Sequence, residues 1–176
     1  MKTSLTWWKE VRQSPELLAD WLVKQYRGEV TAASRIRLLG MRFNVDTKIK
    51  SILEAIAQQE EIHAAWILEL LAARGLAHFA TTDDAENRYW AETLPGITDF
   101  ETGSAVAAHA EKMRLDRITA ISEDVLAPFD IVSTFQKILR DELWHERMFR
   151  QMSTDAALAA TAGDHERGMQ VLGLVH

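Results

Sequence analysis

Gln59-Glu60-Glu61-Ile62-His63 and Asp141-Glu142-Leu143-Trp144-His145 carry one motif, Glu-x-x-His, and each copy is preceded at the same distance by a further glutamate, Glu29 in the first half and Glu111 in the second. In a helix, positions i and i+3 leave the same face, so Glu60 points with His63 and Glu142 with His145. The residues around each pair are apolar at helical spacing: Ile56, Ile67 and Leu70 in the first copy, Phe135, Ile138, Leu139 and Phe149 in the second. Both pairs should therefore face a core. The doubled unit reads as two helix pairs of one all-α, four-helix bundle.

Helix punctuation agrees. Ser14, Pro15 and Glu16 supply a cap, a first-position proline and an acidic first turn. Leu18, Leu22, Tyr26, Ala33 and Ile36 then share a face with Glu29 until the pattern runs out between Gly40 and Phe43. After the turn Asn44-Val45-Asp46, with Asp46 as cap, a second long helix ends at Arg74-Gly75. A third is expected from about Ser104 to Asp124 and a fourth from Asp130, just past Pro128, to about Met152. Residues 76–102, with Asp83-Asp84 and Pro95-Gly96, read as a long connection holding one short helix near Glu86 to Glu92. The Ala- and Gly-rich tail, residues 153–176, carries no assignable pattern.

In an antiparallel helix pair, residues equidistant from the turn come to the same height. Midway between Glu29 and Glu60 lies Asn44-Val45, and midway between Glu111 and Glu142 lies Leu126-Ala127, beside Pro128. Both midpoints fall on turns placed from punctuation alone, so all six polar residues should be level. The connection over 76–102 can span the length of a bundle. That predicts one long crossover between the second and third helices rather than a simple up-down-up-down order.

Composition limits the remaining classes. A chain of 176 residues, 47% hydrophobic and 26% charged, suits one domain over 1–176 with the bundle core at about 15–152. A net charge of -6 argues against nucleic acid or an anionic membrane surface as partner. No apolar run reaches the ~18 residues of a membrane helix, and Met1 to Glu10 lacks a signal-peptide core, so a cytoplasmic location is expected. The absence of cysteine excludes disulfides, thiolate zinc sites and iron-sulfur clusters, and an electron donor with such a cluster would be a separate protein.

Four buried carboxylates without partners would each cost several kcal/mol or be forced to hold a proton. Two divalent cations remove that difficulty by matching the four negative charges. Mixed carboxylate and imidazole donors without sulfur suit iron first and manganese second, ahead of a closed zinc site. The expected ligands are Glu29, Glu60, His63, Glu111, Glu142 and His145. Glu111 has a competing reading, a surface ion pair with Arg114 one turn away. Glu61, Glu146 and Asp141 are read as solvated flanks, with Asp141 also weighed as an outer acceptor for a histidine ring N–H. His78, His109, His165 and His176 lie outside the motif and are read as surface residues. The tryptophans, Trp66 and Trp144 included, are read as core or interface, and the pair Trp7-Trp8 as a dimer contact.

With these residues the chain resembles, over 15–152, the ferritin-like family of di-iron carboxylate proteins, which holds rubrerythrins, bacterioferritins and di-iron oxygenases. The resemblance implies a ferritin-like bundle in which Glu60 and Glu142 bridge two irons, Glu29 and Glu111 are terminal carboxylates, and His63 and His145 each complete one metal. Departures narrow the choice. Rubrerythrins carry an extra glutamate where this chain has Arg114, and the cysteines of their rubredoxin module are absent. Bacterioferritins place a haem-ligating methionine where this chain has Glu61. The implied function is an oxidoreductase of the peroxide-reducing, ferroxidase or oxygenase type, acting on dioxygen or hydrogen peroxide with an external electron donor; the Trp7-Trp8 pair adds the expectation of a homodimer. Two alternatives stand beside it: an iron-storage shell protein and a metal-free helical interaction module.

Overall fold

The computed structural model describes residues 2–81 and 88–174, and within them the fold is helical. Four long helices make the bundle: α2 (Pro15–Arg42), α3 (Thr47–Ala72), α5 (Phe100–Ser122) and α6 (Phe129–Gln151). Three shorter ones surround it: α1 (Ser4–Gln13), α4 (Arg88–Thr93) and α7 (Asp155–Val171). Among the described residues the one β-bridge pairs Lys2 with Leu174, tying the two ends of the described chain together.

Sequence punctuation sets most of the boundaries. The Ser14 side chain accepts from Leu17 N at 3.2 Å and opens α2 with Pro15 in its first turn. Asp46 accepts from Ile49 N at 2.9 Å and opens α3. Between them Asn44 takes φ 46°, a left-handed turn conformation that asparagine tolerates. The third bundle helix starts at Phe100, ahead of the expected Ser104. Asp99 and Thr102 form a reciprocal capping box there, with threonine in the place where glutamate or glutamine would have signalled it.

Two apolar clusters fix the topology. One gathers Trp21 and Leu22 from the start of α2, Ile67 and Leu71 from the end of α3, Ile121 from the end of α5 and Phe135 from the first half of α6. The other gathers Ile36 from the end of α2, Leu53 and Ile56 from the start of α3, Ala108 from the first half of α5 and Phe149 from the end of α6. Hence α2 runs antiparallel to α3 and α5 to α6, while α3 and α5 run parallel. A parallel pair joined in sequence needs a connection that returns the length of the bundle, which is the long crossover expected of a ferritin-like bundle.

Several expectations are corrected. The tail is not patternless: α7 is capped by Thr154 and packs against α4 and α5. Its small residues permit close approach, and a Cβ on Gly168 would stand 2.6 Å from the Tyr89 ring. The short crossover helix is described only from Arg88, and Asp83-Asp84 and Glu86 lie outside the described residues. Trp7-Trp8 is not an exposed pair. Trp8 is fully buried, its indole donates to Asp124 Oδ2 at 2.9 Å, and its ring meets Trp21 edge-on at 5.4 Å. The half-buried Trp7 ring lies under the Arg117 guanidinium, so the pair packs largely against its own chain.

Candidate metal centre

Between the two apolar clusters, at mid-bundle, the six motif residues converge. Glu29, Glu60, His63, Glu142 and His145 are 0% exposed and Glu111 is 5% exposed. They fall into two overlapping groups, Glu29, Glu60, His63 and Glu142 in one and Glu60, Glu111, Glu142 and His145 in the other, each with ligand atoms within 4.8 Å of one another. Glu60 and Glu142 belong to both groups. Fully buried Ile56, Ile67, Phe135, Ile138 and Phe149 close the surroundings against water.

The histidines are oriented from behind. His63 donates from Nε2 to Asp141 Oδ2 at 3.1 Å, and His145 donates from Nε2 to Gln59 Oε1 at 2.9 Å. Gln59 in turn donates from Nε2 to Asp141 Oδ1 at 3.1 Å, so one chain of bonds fixes both rings. Both Nδ1 atoms consequently face the carboxylates. His145 Nδ1 stands 3.2 Å from Glu60 Oε1 and 3.3 Å from Glu142 Oε2, and His63 Nδ1 stands 3.6 Å from Glu142 Oε1. Four of these buried atoms, His63 Nδ1, His145 Nδ1, Glu111 Oε2 and Glu142 Oε2, make no hydrogen bond. Buried polar atoms are rarely left so. Oxygen and imidazole-nitrogen donors gathered in this way fit a pair of iron or manganese ions.

Arg114 is no surface partner of Glu111. Its guanidinium lies among the carboxylates: Nη2 donates to Glu29 Oε2 at 2.5 Å and to Glu142 Oε1 at 2.6 Å, and Nη1 reaches Glu60 Oε2 at 3.3 Å. Glu111 Oε2 is the most distant of the four acceptors, at 3.5 Å. Burial pushes Glu29 up to about 8 and Glu111 well above the ordinary carboxylate range. Burial also works to raise Glu60 and Glu142, but Arg114 and His145 outweigh it, holding Glu60 low and Glu142 well below that range. Burial disfavours the histidine cations, yet the carboxylates beside them prevail, raising His63 and pushing His145 up to about 9.

The flanking residues divide. Glu61 pairs with Arg37 and Glu146 with Arg150, away from the centre, whereas Asp141 is the histidine acceptor. Gln59 and Gln25, which donates to Glu29 Oε1 at 2.5 Å, were not legible as site residues, since no spacing rule singles out a glutamine beside a carboxylate. Two histidines read as surface residues are not on the surface. His165 is buried with Nδ1 2.8 Å from the Tyr89 hydroxyl, and half-buried His109 stacks on it at 4.9 Å. His78 is exposed, and His176 lies outside the described residues. Trp66 and Trp144 flank the site, their rings 5.7 Å from those of His63 and His145 respectively.

No helix of the described residues is long and apolar enough to cross a membrane. Searches of curated proteins and of solved structures return no match. The family model for Rubrerythrin matches residues 20–153, a span that takes in α3, α5 and α6 whole, all but the first turn of α2, and every one of the six converging residues. On that match, and on a ferritin-like bundle with its acidic and imidazole side chains gathered at mid-height, the chain belongs to the rubrerythrin family.

Proposed function

We propose that this chain is a di-iron oxidoreductase that reduces hydrogen peroxide or dioxygen, taking electrons from a separate donor protein. The observation that carries the reading is the set of hydrogen-bond-free atoms on Glu111, Glu142, His63 and His145, which belong to two overlapping ligand groups between two apolar layers. A metal-free interaction module would have no use for such atoms, each of which weakens the fold unless something binds it.

In this reading Glu29, Glu60, His63 and Glu142 hold one metal and Glu60, Glu111, Glu142 and His145 the other, with Glu60 and Glu142 shared. When bound, the iron pair supplies the electrons that reduce the oxidant. The chain's own part is to orient and to insulate. Asp141 and Gln59 keep each histidine's Nε2 protonated and its Nδ1 free to ligate. The buried isoleucine and phenylalanine layers exclude bulk water, so charge on the site is balanced by fixed side chains rather than by solvent. His145, whose imidazolium is stabilised by the neighbouring carboxylates in the metal-free state, would have to release its Nδ1 proton to hold a metal.

The test is anaerobic loading with ferrous ion followed by mixing with peroxide or with air. About two irons per chain, oxidised faster by one of these oxidants than free ferrous ion is, support the assignment and identify the oxidant. Protein that takes up no stoichiometric metal, and whose iron content is the same in Glu60→Ala and His145→Ala, would overturn it. Retention of many irons per chain would instead establish the storage alternative.

A further inference from the structure

Arg114 does not treat the two halves of the centre alike. Its two shortest bonds go to Glu29 Oε2, at 2.5 Å, and to Glu142 Oε1, at 2.6 Å. Glu142 Oε1 is also the oxygen nearest His63 Nδ1, at 3.6 Å. The half built on Glu29 and His63 therefore has both of these carboxylate oxygens spoken for by a guanidinium. His63 Nδ1 carries no hydrogen bond on that side, nor do Glu142 Oε2, Glu111 Oε2 and His145 Nδ1 on the other, where the nearest guanidinium contacts, to the shared Glu60, are longer at 3.3 to 3.4 Å. The Glu111 oxygen stands 3.5 Å from Arg114, an ion pair without hydrogen-bond geometry. One shared carboxylate thus faces the guanidinium with one oxygen, at 2.6 Å, and the His145 ring nitrogen with the other, at 3.3 Å.

Charge sharpens the asymmetry. Four glutamates balance two divalent ions, or they balance one divalent ion and Arg114 with a single negative charge to spare. Two divalent ions together with a retained guanidinium would leave a surplus positive charge in a site shielded from water, where it is poorly tolerated. An arginine cannot shed its proton to relieve this. It has to move, and it has somewhere to go, since 19% of its side chain is exposed while the glutamates it holds are sealed.

We infer that Arg114 is a built-in cation occupying the Glu29–His63 half of the centre, so that one metal binds first at Glu60, Glu111, Glu142 and His145 and a second enters only by displacing the guanidinium. This rests on the metal-binding reading above and goes beyond it in making the two positions unequal. The arginine also serves the metal-free protein, in which it neutralises carboxylates that would otherwise repel one another. Loading is then an exchange of one cation for another, with a threshold set by the protein.

The experiment is titration of metal-free protein with Co(II), whose spectrum reports ligation without oxygen chemistry, together with elemental analysis after gel filtration. The wild-type chain should show two separated steps, the second at least about tenfold weaker, and retain about one Co(II) per chain. Arg114→Met should merge the steps and retain about two, while its metal-free form melts at a lower temperature and recovers when metal is added. Should Arg114→Met fail to fold without metal, Arg114→Lys keeps the charge but loses the fork, and the gap between its two steps should narrow. Two equal tight sites in the wild type would overturn the inference and leave the metal reading standing, whereas one site in wild type and Arg114→Met alike would overturn the inference and the two-metal count together. No Co(II) bound by either protein would remove both.

Discussion

Asp141 accepts the Nε2 hydrogen of His63 at 3.1 Å, from the far side of the ring, although the two residues lie on different helices of the bundle. Without that bond the ring could rotate or adopt the other tautomer, and Nδ1 would no longer be held toward the carboxylates. Asp141→Ala is expected to weaken metal binding by about 10- to 100-fold while leaving a folded helical protein. Competition against a chelator of known affinity measures this. An unchanged affinity would show that packing alone orients His63.

Gln59 links the two histidines, accepting from His145 and donating to Asp141. Gln59→Leu removes both bonds at once and leaves the His145 Nε2 hydrogen and one Asp141 oxygen unmatched. Its effect on metal affinity should therefore not simply add to that of Asp141→Ala. A double-mutant cycle should return a coupling between the two positions of roughly 0.5 kcal/mol or more. Strict additivity would mean that the two histidines are oriented independently.

Gly168 sits where α7 crosses the Tyr89 ring, with room for a hydrogen and not for a methyl group. In Gly168→Ala the new Cβ would meet ring carbons at 2.6 and 2.9 Å, and Tyr89 would have to shift away from its bond to His165. The expected destabilisation is about 1–3 kcal/mol in chemical unfolding. Metal affinity should stay near wild type, because neither residue is among the converging ligands.

The bundle and its centre were legible for one reason: the repeated spacing of Glu29, Glu60 and His63 with Glu111, Glu142 and His145 encodes geometry directly, since helical period and turn midpoint together fix face and height. What the sequence hid depends on partners far apart in the chain. Arg114 reads as an i+3 partner of Glu111, and only the packing of four helices shows that its strongest bonds run to Glu29 and Glu142. His165 reads as polar and exposed because the tyrosine that buries it comes from α4, in the long crossover. Helix α7 shows no hydrophobic period because, apart from Met169, its inward face is made of Ala157, Thr161, His165 and Gly168, residues too small or too polar to mark one. Small residues there permit close packing on α4 and α5, a three-dimensional requirement that leaves little trace in one dimension.

Metal-free protein should lose stability as pH rises. His145 has its imidazolium favoured in the fold, up to about 9 from an ordinary 6.5, so its contribution is complete below 6.5 and lost as pH climbs through 9. Glu29, pushed up to about 8 from 4.5 by burial, acts in the same direction over a lower window, because the unfolded chain ionises near 4.5 while the fold keeps the proton until about 8. Melting temperatures of metal-free protein should fall between about pH 4.5 and 9, and His145→Gln should flatten the upper part of the curve. Metal-loaded protein should lack this slope, since ligation has already removed the protons.

Glu142 and Glu111 share the centre yet should respond very differently when neutralised in the metal-free protein. Glu142 is held ionised well below the ordinary range by Arg114 and the histidines, against the effect of burial, so Glu142→Gln withdraws the charge that the guanidinium binds at 2.6 Å. Stranding a buried partner in this way costs about 3–5 kcal/mol. Glu111 is pushed in the opposite direction by burial, well above the ordinary range, and its Oε2 makes no hydrogen bond. At neutral pH it already resembles the amide that would replace it, so Glu111→Gln should change stability by less than about 1 kcal/mol or raise it. Both substitutions remove a proposed ligand and should lower metal content. Urea unfolding of the two metal-free variants, set beside their elemental analysis, separates the outcomes. Equal destabilisation by both would mean that Arg114 holds the four carboxylates alike, contrary to the distances that single out Glu29 and Glu142.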